Sequence, residues 1–381
     1  CIEGDREDLG TDLQGGIVTK YNPSVQAIDM SGNVTTLLRG MDRCDGIRLT
    51  SWGTILATEE SDFGQAYEII DPLAIVNHTV IDRMAGTIVD TEGDVSTKVA
   101  RRDALPTMSW EGLTINDQGV VLAGDELRPG TGAADRDGGA LFKFIPTVSA
   151  TGFINDLGAS PLVSGNVYAF RADCREENSG SFPQYGQGCE IGNGAWVPVT
   201  AANARDDAAA AGATGYYRPE DLHSDPVYEG PGIRFCWTNT GREAASNYGE
   251  VLCGIDAEPM TADSGRATVV VNRFVEGDSD FNSVDNLAFQ PYSGNLYVIE
   301  DHSNGDIFAC LPDGGDRDIK SDGCVKILSV RDQSAEPTGF EFTADGRTAY
   351  LSVQHSADDL CTTGSDCAEL DDYGTDDLSL I

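Results

Sequence analysis

Short runs in which apolar and polar residues alternate recur along the whole chain, and each follows a tight turn rich in Gly, Asn or Asp. In chain order they are "SGNVTTLLRG", "WGTILATEE", "DQGVVLAGDE", "SGNVYAFRAD", "GPGIRFCWTNTG", "SGNLYVIEDHSNGDIFACLPDG" and "DGRTAYLSVQH". Alternation bounded by turn residues is typical of half-buried antiparallel strands. The pattern therefore predicts an all-β protein.

The spacing of these turns indicates the architecture. They recur at roughly 45 to 65 residues, which is near the length of one propeller blade with some long loops. We predict a six-bladed β-propeller that forms a single domain over residues 1–381, with loop insertions. The alanine-rich segment 200–215 is one such insertion, because Asp206 and Asp207 interrupt the alanines and no amphipathic face develops. A pair of β-sandwiches is the structural alternative.

The chain is strongly acidic, with 63 acidic and 25 basic residues and a formal net charge of −38. Such a charge repels polyanions, so nucleic acid and anionic membrane surfaces are poor partners, and we expect no nucleic acid to bind. No apolar run is long enough to span a bilayer. One explanation of the excess is a solvated acidic surface, as in a protein secreted into salt water. The other is that some carboxylates hold hard cations such as calcium, and the two are compatible.

Ten cysteines in an acidic chain indicate an oxidising compartment. Eight of them lie in local pairs around short polar segments, which favours the disulfides Cys174–Cys189, Cys236–Cys253, Cys310–Cys324 and Cys361–Cys367. Cys1 and Cys44 are left over. They either pair with each other, or Cys1 is the lipidated residue of a bacterial lipoprotein and Cys44 is a free thiol. We expect Cys44 to lie outside any disulfide.

Candidate metal ligands lie at similar positions beside successive strands. In a propeller the inner strands surround a central channel, so residues far apart in sequence meet there. A carboxylate inside an apolar strand is costly unless it is paired or holds a cation. The candidates are Cys44, Glu59, Glu60, Glu111, Glu220, Asp285, Asn286 and Glu336. One such acid alone would more often be an ordinary ion-paired residue, but their recurrence predicts a metal site.

The same stretches carry a resemblance to a known family. In chain order, "WGTILATEE", "WEG…LAGDE", "YRPEDL", "FCWTNTGR…YGEVL", "DNLAFQPYSGNLYVIED" and "EPTGFEFTADGRTAYLSVQH" resemble the PhoX family of secreted alkaline phosphatases over about residues 40–355. The resemblance implies a propeller whose channel holds an oxide-bridged pair of ferric ions with several calcium ions. It also implies hydrolysis of phosphate esters outside the cytoplasm.

The resemblance assigns roles to the candidates. It implies that Cys44 binds iron and that Glu60 binds metal. Glu59 can enter the channel as well only if the strand has ended, because neighbours on a strand face opposite ways. The other implied metal ligands are Glu111, Glu220, Asp285, Asn286 and Glu336. Thiolate with carboxylates suits iron, and carboxylates suit calcium.

The segment "YRPEDL" carries the implied phosphate site, with Arg218 binding phosphate and Glu220 binding a cation. Pro219 biases the preceding residue towards an extended conformation, so we expect both side chains on one face of a regular strand. Many relatives have a further phosphate-binding arginine near the C-terminus, but no basic residue follows Arg347. Arg218 is therefore expected to act alone.

The function favoured by these observations is a secreted phosphatase that hydrolyses small phosphate esters at an iron and calcium cluster. The first alternative is a non-catalytic calcium-binding propeller that serves as a structural or surface-assembly module. The second is another propeller hydrolase, such as a lactonase or phytase. Fold cannot separate these classes, whereas a thiolate and a guanidinium favour the phosphatase because a structural calcium site needs neither. The expected location is extracellular, periplasmic or at the cell surface.

Overall fold

The computed structural model describes residues 1–13, 18–130, 138–173, 190–312, 323–330, 335–354 and 377–380. These residues form strands β1–β26 and one short helix, α1 (Ala204–Ala210). Single turns of 3-10 helix lie at Pro72–Ala74, Leu157–Ala159, Pro161–Val163, Ala201–Asn203 and Glu243–Ala245. The all-β prediction is confirmed, and α1 lies within the alanine-rich segment. None of the described helices is long and apolar enough to cross a membrane.

Most strands form antiparallel meanders, in which successive strands of the chain pair side by side. The first contains β5 (Cys44–Leu49), β6 (Thr54–Gly64), β7 (Ala66–Ile70) and β10 (Val99–Arg101). The second contains β11 (Met108–Ile115), β12 (Val121–Asp125), β13 (Leu141–Pro146), β14 (Gly165–Ala172) and β15 (Gly192–Val199). The third contains β16 (Pro219–Ser224), β17 (Ile233–Asn239), β18 (Glu250–Asp256) and β19 (Val269–Glu276).

Two further meanders follow, and two smaller sheets stand near the N-terminus. The fourth meander contains β20 (Val284–Phe289), β21 (Leu296–Glu300), β22 (Asp306–Cys310) and β23 (Val325–Ser329). The fifth contains β24 (Glu336–Phe342), β25 (Ala349–Gln354) and β26 (Asp377–Leu380). The hairpin of β1 (Asp8–Leu13) and β2 (Val18–Tyr21) precedes a sheet of β3 (Pro23–Ile28), β4 (Val34–Arg39), β8 (His78–Asp82) and β9 (Thr87–Val89).

The hydrogen-bonded order of the strands does not establish a propeller. Short pairings of β6 with β11 and of β15 with β19 join the first three meanders into one sheet. Among the described residues no sheet closes on itself. The six-bladed count and the single domain over 1–381 stay predictions.

The first strand of each meander, here called its leading strand, contacts the leading strand of the next meander. Glycine permits this close approach at two places. A Cβ at Gly46 would lie 2.2 Å from the Glu111 carbonyl oxygen, and a Cβ at Gly112 would lie 2.4 Å from the Leu222 backbone nitrogen. Both distances are too short for any larger residue, so glycine fixes how closely β5, β11 and β16 pack.

The apolar core lies between neighbouring sheets rather than in one central mass. Strand β13 shows the cause, since Phe142 and Phe144 pack against the first meander while Leu141 packs against the third. Alternating side chains of a strand face opposite sides, so a sheet covered on both faces needs apolar residues on both. Burial of such side chains stabilises each sheet contact by about 25 cal/mol per Å² of apolar surface.

Local disulfides fasten two of these sheets as the sequence predicted. Cys236 and Cys253 lie directly opposite each other on β17 and β18 and are bonded. Cys310 and Cys324 are bonded at the edge of the fourth meander. The predicted pairs Cys174–Cys189 and Cys361–Cys367 lie outside the described residues.

Candidate functional site

The same local arrangement recurs in four meanders. The backbone carbonyl of one residue accepts a hydrogen bond from the amide of a residue on or after the second strand. In three meanders this donor follows the last residue of the second strand, and in the first meander it is Glu60, inside β6. The carbonyl residues, called lead-in residues, are Arg43, Ser109, Arg218 and Ser283, and their partners, called strand-end residues, are Glu60, Glu126, Thr240 and Asp301, at 2.8, 2.9, 3.1 and 2.8 Å. Two residues after each lead-in residue stands an acid. These leading acids are Asp45, Glu111, Glu220 and Asp285.

Because the leading strands contact one another, the leading acids converge. Carboxylate oxygens of Asp45, Glu60 and Glu111 lie within 4.8 Å of one another, and so do those of Glu111, Glu220 and Asp285. Glu111 belongs to both groups, so the five residues form one continuous set, called here the carboxylate cluster. Sequence reasoning named all of them except Asp45.

Burial and mutual repulsion raise the pKa of every member of the cluster. Burial is the larger cause in each case, and neighbouring carboxylates add to it. The pKa rises to about 6 for Asp45, about 8 for Glu220 and about 11 for Glu60. It lies well above its usual value for Glu111 and Asp285. Raised pKa values of this kind favour either protonated carboxyl groups or bound cations at the cluster.

The guanidinium of Arg218 reaches the cluster from one side. Its Nε donates to Glu126 Oε1 at 2.7 Å, and its Nη2 lies 2.9 Å from Glu220 Oε1 and 3.8 Å from Asp301 Oδ2. Only 15% of the side chain is exposed. Arg218 and Glu220 form an ion pair, and the expected extended backbone at Arg218 is wrong. Arg218 has φ 58° and strand β16 begins only at Pro219.

The residue after each leading acid contacts the next leading strand. Gly46 and Gly112 do so through close backbone approach. Asp221 accepts from the Leu287 amide at 3.1 Å, and Asn286 Oδ1 accepts from the Gly339 amide at 2.8 Å. Burial acts to raise the pKa of Asp221, but the partners His223 and Arg48 hold it well below its usual range. These residues join strands, and Asn286 Oδ1 also accepts from the Thr338 hydroxyl at 2.8 Å; Asn286 as a metal ligand stays a prediction.

Glu59 is buried in a different environment from Glu60. Its two oxygens accept from the amides of Asp42 and Gln65 at 3.0 Å and from Nε and Nη2 of Arg83 at 2.8 Å. All its acceptor directions are used within the protein, so the structure does not support Glu59 as a metal ligand. The alternation of strand residues explains why the adjacent Glu60 points into the cluster instead.

The structure contradicts both expectations for Cys44. Its sulfur is bonded to that of Cys1, so neither is a free thiol, and Cys1 has no thiol left for a lipid. Cys44 also packs in the core with Ala57 and Tyr67, while the next residue, Asp45, joins the carboxylate cluster. The side chain of Cys44 thus lies on the core side of β5, and a thiolate there would not point into the cluster.

Glu336 stands at the start of β24 but outside the two carboxylate groups. Its Oε1 accepts from Gln354 Nε2 at 2.7 Å, across the pair of strands β24 and β25. The structure therefore does not bring Glu336 together with the five cluster members.

Sequence reasoning missed Asp45, Glu126 and Asp301. Two signals could have found them. Asp45 and Glu111 share an acid–glycine pair on a leading strand, in "CDGIRL" and "SWEGLTI". Glu126 and Asp301 follow the ends of second strands in "VVLAGDE" and "LYVIED", as Glu60 ends "ILATEE".

Comparison with known proteins agrees with this geometry. Residues 43–357 match the family described as alkaline phosphatase PhoX. Among solved structures the chain is similar to Pseudomonas fluorescens PhoX in complex with vanadate, a transition state analogue, at 18% identity and a TM-score of 0.55, over 94% of this chain and 71% of that chain. No curated protein matches the chain. Since the family match spans well over half of its residues, the chain belongs to the alkaline phosphatase PhoX family, and this places it among the phosphatases.

Proposed function

We propose that this chain is a secreted, calcium-dependent phosphatase that hydrolyses phosphate esters, with the carboxylate cluster as its metal site and Arg218 as its phosphate ligand. The convergence of five carboxylates, from four leading strands and one second strand, carries the proposal. The family membership supports it, and so does the vanadate bound to the Pseudomonas fluorescens protein. Vanadate is accordingly expected to inhibit this chain.

The residues of the cluster fit hard cations. All five donors are carboxylates, and calcium binds through six to eight oxygens in flexible geometry. Glu220 Oε2 is buried with no hydrogen-bond partner among the described residues, which is the condition expected of a ligand atom. Iron held by a thiolate does not fit, because Cys44 lies in a disulfide on the other face of β5. With carboxylate donors alone, calcium is the cofactor we assign, through Asp45, Glu60, Glu111, Glu220 and Asp285.

Bound calcium would neutralise phosphate oxygens and lower the pKa of a bound water. The chain's own contribution is to hold Arg218 still. Its guanidinium forms ion pairs with both Glu126 and Glu220, so the remaining N–H groups have a fixed direction. A planar guanidinium binds two phosphate oxygens at once, and phosphoryl transfer depends mainly on such positioning and charge stabilisation. In a chain of net charge −38 this cation also offsets the repulsion of an anionic substrate.

The proposed location is outside the cytoplasm. The described residues contain three disulfides, at Cys1–Cys44, Cys236–Cys253 and Cys310–Cys324. Disulfides persist in extracellular and periplasmic compartments and are rare where thioredoxin and glutathione act.

Two variants test the proposal with a simple phosphomonoester. Arg218→Ala is expected to lower kcat/KM by about 10²-fold or more while calcium content stays at the parent level. Glu220→Gln is expected to lose calcium and activity together, because it removes a ligand charge. An Arg218→Ala protein as active as its parent would contradict the assigned role. A parent protein with full calcium and no hydrolysis would favour the structural module instead.

A further inference from the structure

Arg43 occupies in the first meander the position that Arg218 occupies in the third. Each residue immediately precedes a leading strand, β5 or β16, and each has a left-handed backbone, with φ 52° and φ 58°. Each carbonyl accepts from a strand-end residue, Glu60 or Thr240. In each case a member of the carboxylate cluster stands two residues later. The two arginines are thus equivalent in backbone geometry, although they are 175 positions apart in the sequence.

The side chain of Arg43 also reaches the cluster. Its Nη2 lies 2.7 Å from Glu60 Oε2 and 2.6 Å from Glu3 Oε1. In the described part of the chain, no hydrogen bond occupies Nε or Nη1, which leaves donors for a ligand. The side chain is 40% exposed, against 15% for Arg218. Arg43 is therefore the more accessible of the two guanidiniums.

Glu126 contacts Arg218 and acts on Arg43 through its charge. It accepts from Arg218 Nε at 2.7 Å. Burial acts to lower the pKa of Arg43, but the charges of Glu60, Glu3 and Glu126 together raise it. The Glu126 carboxylate therefore lies within electrostatic reach of both guanidiniums, and both stand beside the same cluster. The other two lead-in residues, Ser109 and Ser283, carry no charge.

We propose that Arg43 is a second phosphate-binding side chain, and that it acts with Arg218 on the phosphate group of the substrate. The inference rests on the proposed phosphatase function and deepens it, because it replaces a single arginine by a pair. Arg218 would bind the phosphate from the buried side of the site and Arg43 from the solvent-exposed side. Two cations on different sides of a phosphate can share its non-bridging oxygens, which one guanidinium cannot do alone.

The test compares Arg43→Gln, Arg43→Lys and Arg218→Gln with the parent. A matched control is Arg266→Gln, which removes an exposed arginine whose one ion pair among the described residues is with Glu258. The measurement is the competitive inhibition constant of inorganic phosphate, with calcium content determined in the same samples. We expect Arg43→Gln to weaken phosphate binding by roughly tenfold to a hundredfold, the effect of one lost charged hydrogen bond. The phosphate affinity of Arg43→Lys should lie between those of the parent and Arg43→Gln. The calcium content should be the same in all variants, and the phosphate affinity of the control should match that of the parent.

Phosphate binding is also measured without turnover, as the rise in Tm that inorganic phosphate produces. This readout covers a variant that folds but does not react. If Arg43→Gln binds phosphate as the parent does while Arg218→Gln does not, the inference is overturned and the proposed function stands. If Arg43→Gln loses calcium in parallel with phosphate, Arg43 serves only Glu60 and the inference is again overturned. If Arg218→Gln alone keeps full affinity, it is the earlier assignment of Arg218 that fails.

Discussion

The adjacent residues Glu59 and Glu60 have different roles. Glu59 is a structural carboxylate held by Arg83, whereas Glu60 is a candidate metal ligand. The sequence shows two equal acids at a strand end, and only the phase of the strand decides which one faces the cluster. Uncertainty about which residue faces the cluster also explains why Cys44 was predicted as a metal ligand and Asp45 was not. Strand β5 has an irregular register between Cys44 and Ile47, so its facing could not be read from alternation. The types of residue were predictable, but the orientation at these two positions was not.

This difference predicts opposite effects of two matched substitutions. Glu59→Gln removes one of the two carboxylate partners of Arg83, with Asp42 remaining, and should lower the free energy of unfolding by about 1.5–3 kcal/mol while calcium binding persists. Glu60→Gln removes a carboxylate whose pKa is already raised, so it should reduce calcium affinity without such a loss of stability. Denaturant titration in chelator and equilibrium dialysis with calcium provide the two measurements. Equal calcium loss in both variants would show that the distinction is wrong.

At the scale of elements, local patterns predicted the strands well because alternation and turn residues act over short distances. The hairpin disulfide Cys236–Cys253 was predictable for the same reason, since its two residues face each other across neighbouring strands. Cys1–Cys44 joins residues 43 apart and was not, because its formation depends on how the N-terminal segment packs. The close contact of leading strands is indicated in the sequence only by Gly46 and Gly112, the glycines that follow Asp45 and Glu111.

Gly112→Ala tests whether close packing of leading strands positions the site. The added Cβ would lie 1.9 Å from Asp221 Oδ1 and 2.4 Å from the Leu222 nitrogen, so β11 and β16 must separate. We expect a loss of roughly 1–3 kcal/mol in stability, as for other overpacked sites, together with weaker calcium binding. Gly265→Ala is the control, since its Cβ would meet nothing closer than 3.4 Å. Unchanged calcium affinity in Gly112→Ala would show that the cluster does not depend on this contact.

At the scale of the whole molecule, the sequence predicted an all-β chain and a metal site but could not establish the closure of the sheets. The number of blades depends on contacts between the two ends of the chain, which no local pattern records. The recurrence of one arrangement in four meanders still links the whole fold to the site. Each of the four meanders supplies one leading acid, so the cluster forms only when all four meanders are folded together.

The cluster makes stability depend on pH and calcium together. The raised pKa values mean that the folded, calcium-free protein keeps protons that the unfolded chain releases above about pH 4. Stability must then fall as pH rises, by about 1.4 kcal/mol per pH unit for each proton retained, between about pH 5 and pH 9. Asp45 and Glu220, with pKa values of about 6 and about 8, release their protons within this window.

The Tm of chelated protein measured against pH checks this expectation. His302 contributes in the same direction, because its pKa is raised to about 9 by Glu300 and the stability it gives is lost as pH rises through that value. That pair lies outside the carboxylate cluster, so the difference between chelated and calcium-loaded protein is expected to isolate the cluster. The slope of Tm against pH should be much smaller for the calcium-loaded protein, since the cluster carboxylates are then ionised in both the folded and the unfolded state. Parallel slopes would contradict the account.

The most direct test of the central claim is the phosphatase activity of the unmodified protein as calcium is removed stepwise and then restored. Calcium and iron are both determined by elemental analysis at each step. The account predicts that hydrolysis of a simple phosphomonoester falls in proportion to bound calcium, returns when calcium alone is added, and needs no iron. Activity that persists after calcium is gone, or that follows the iron content instead, would contradict it.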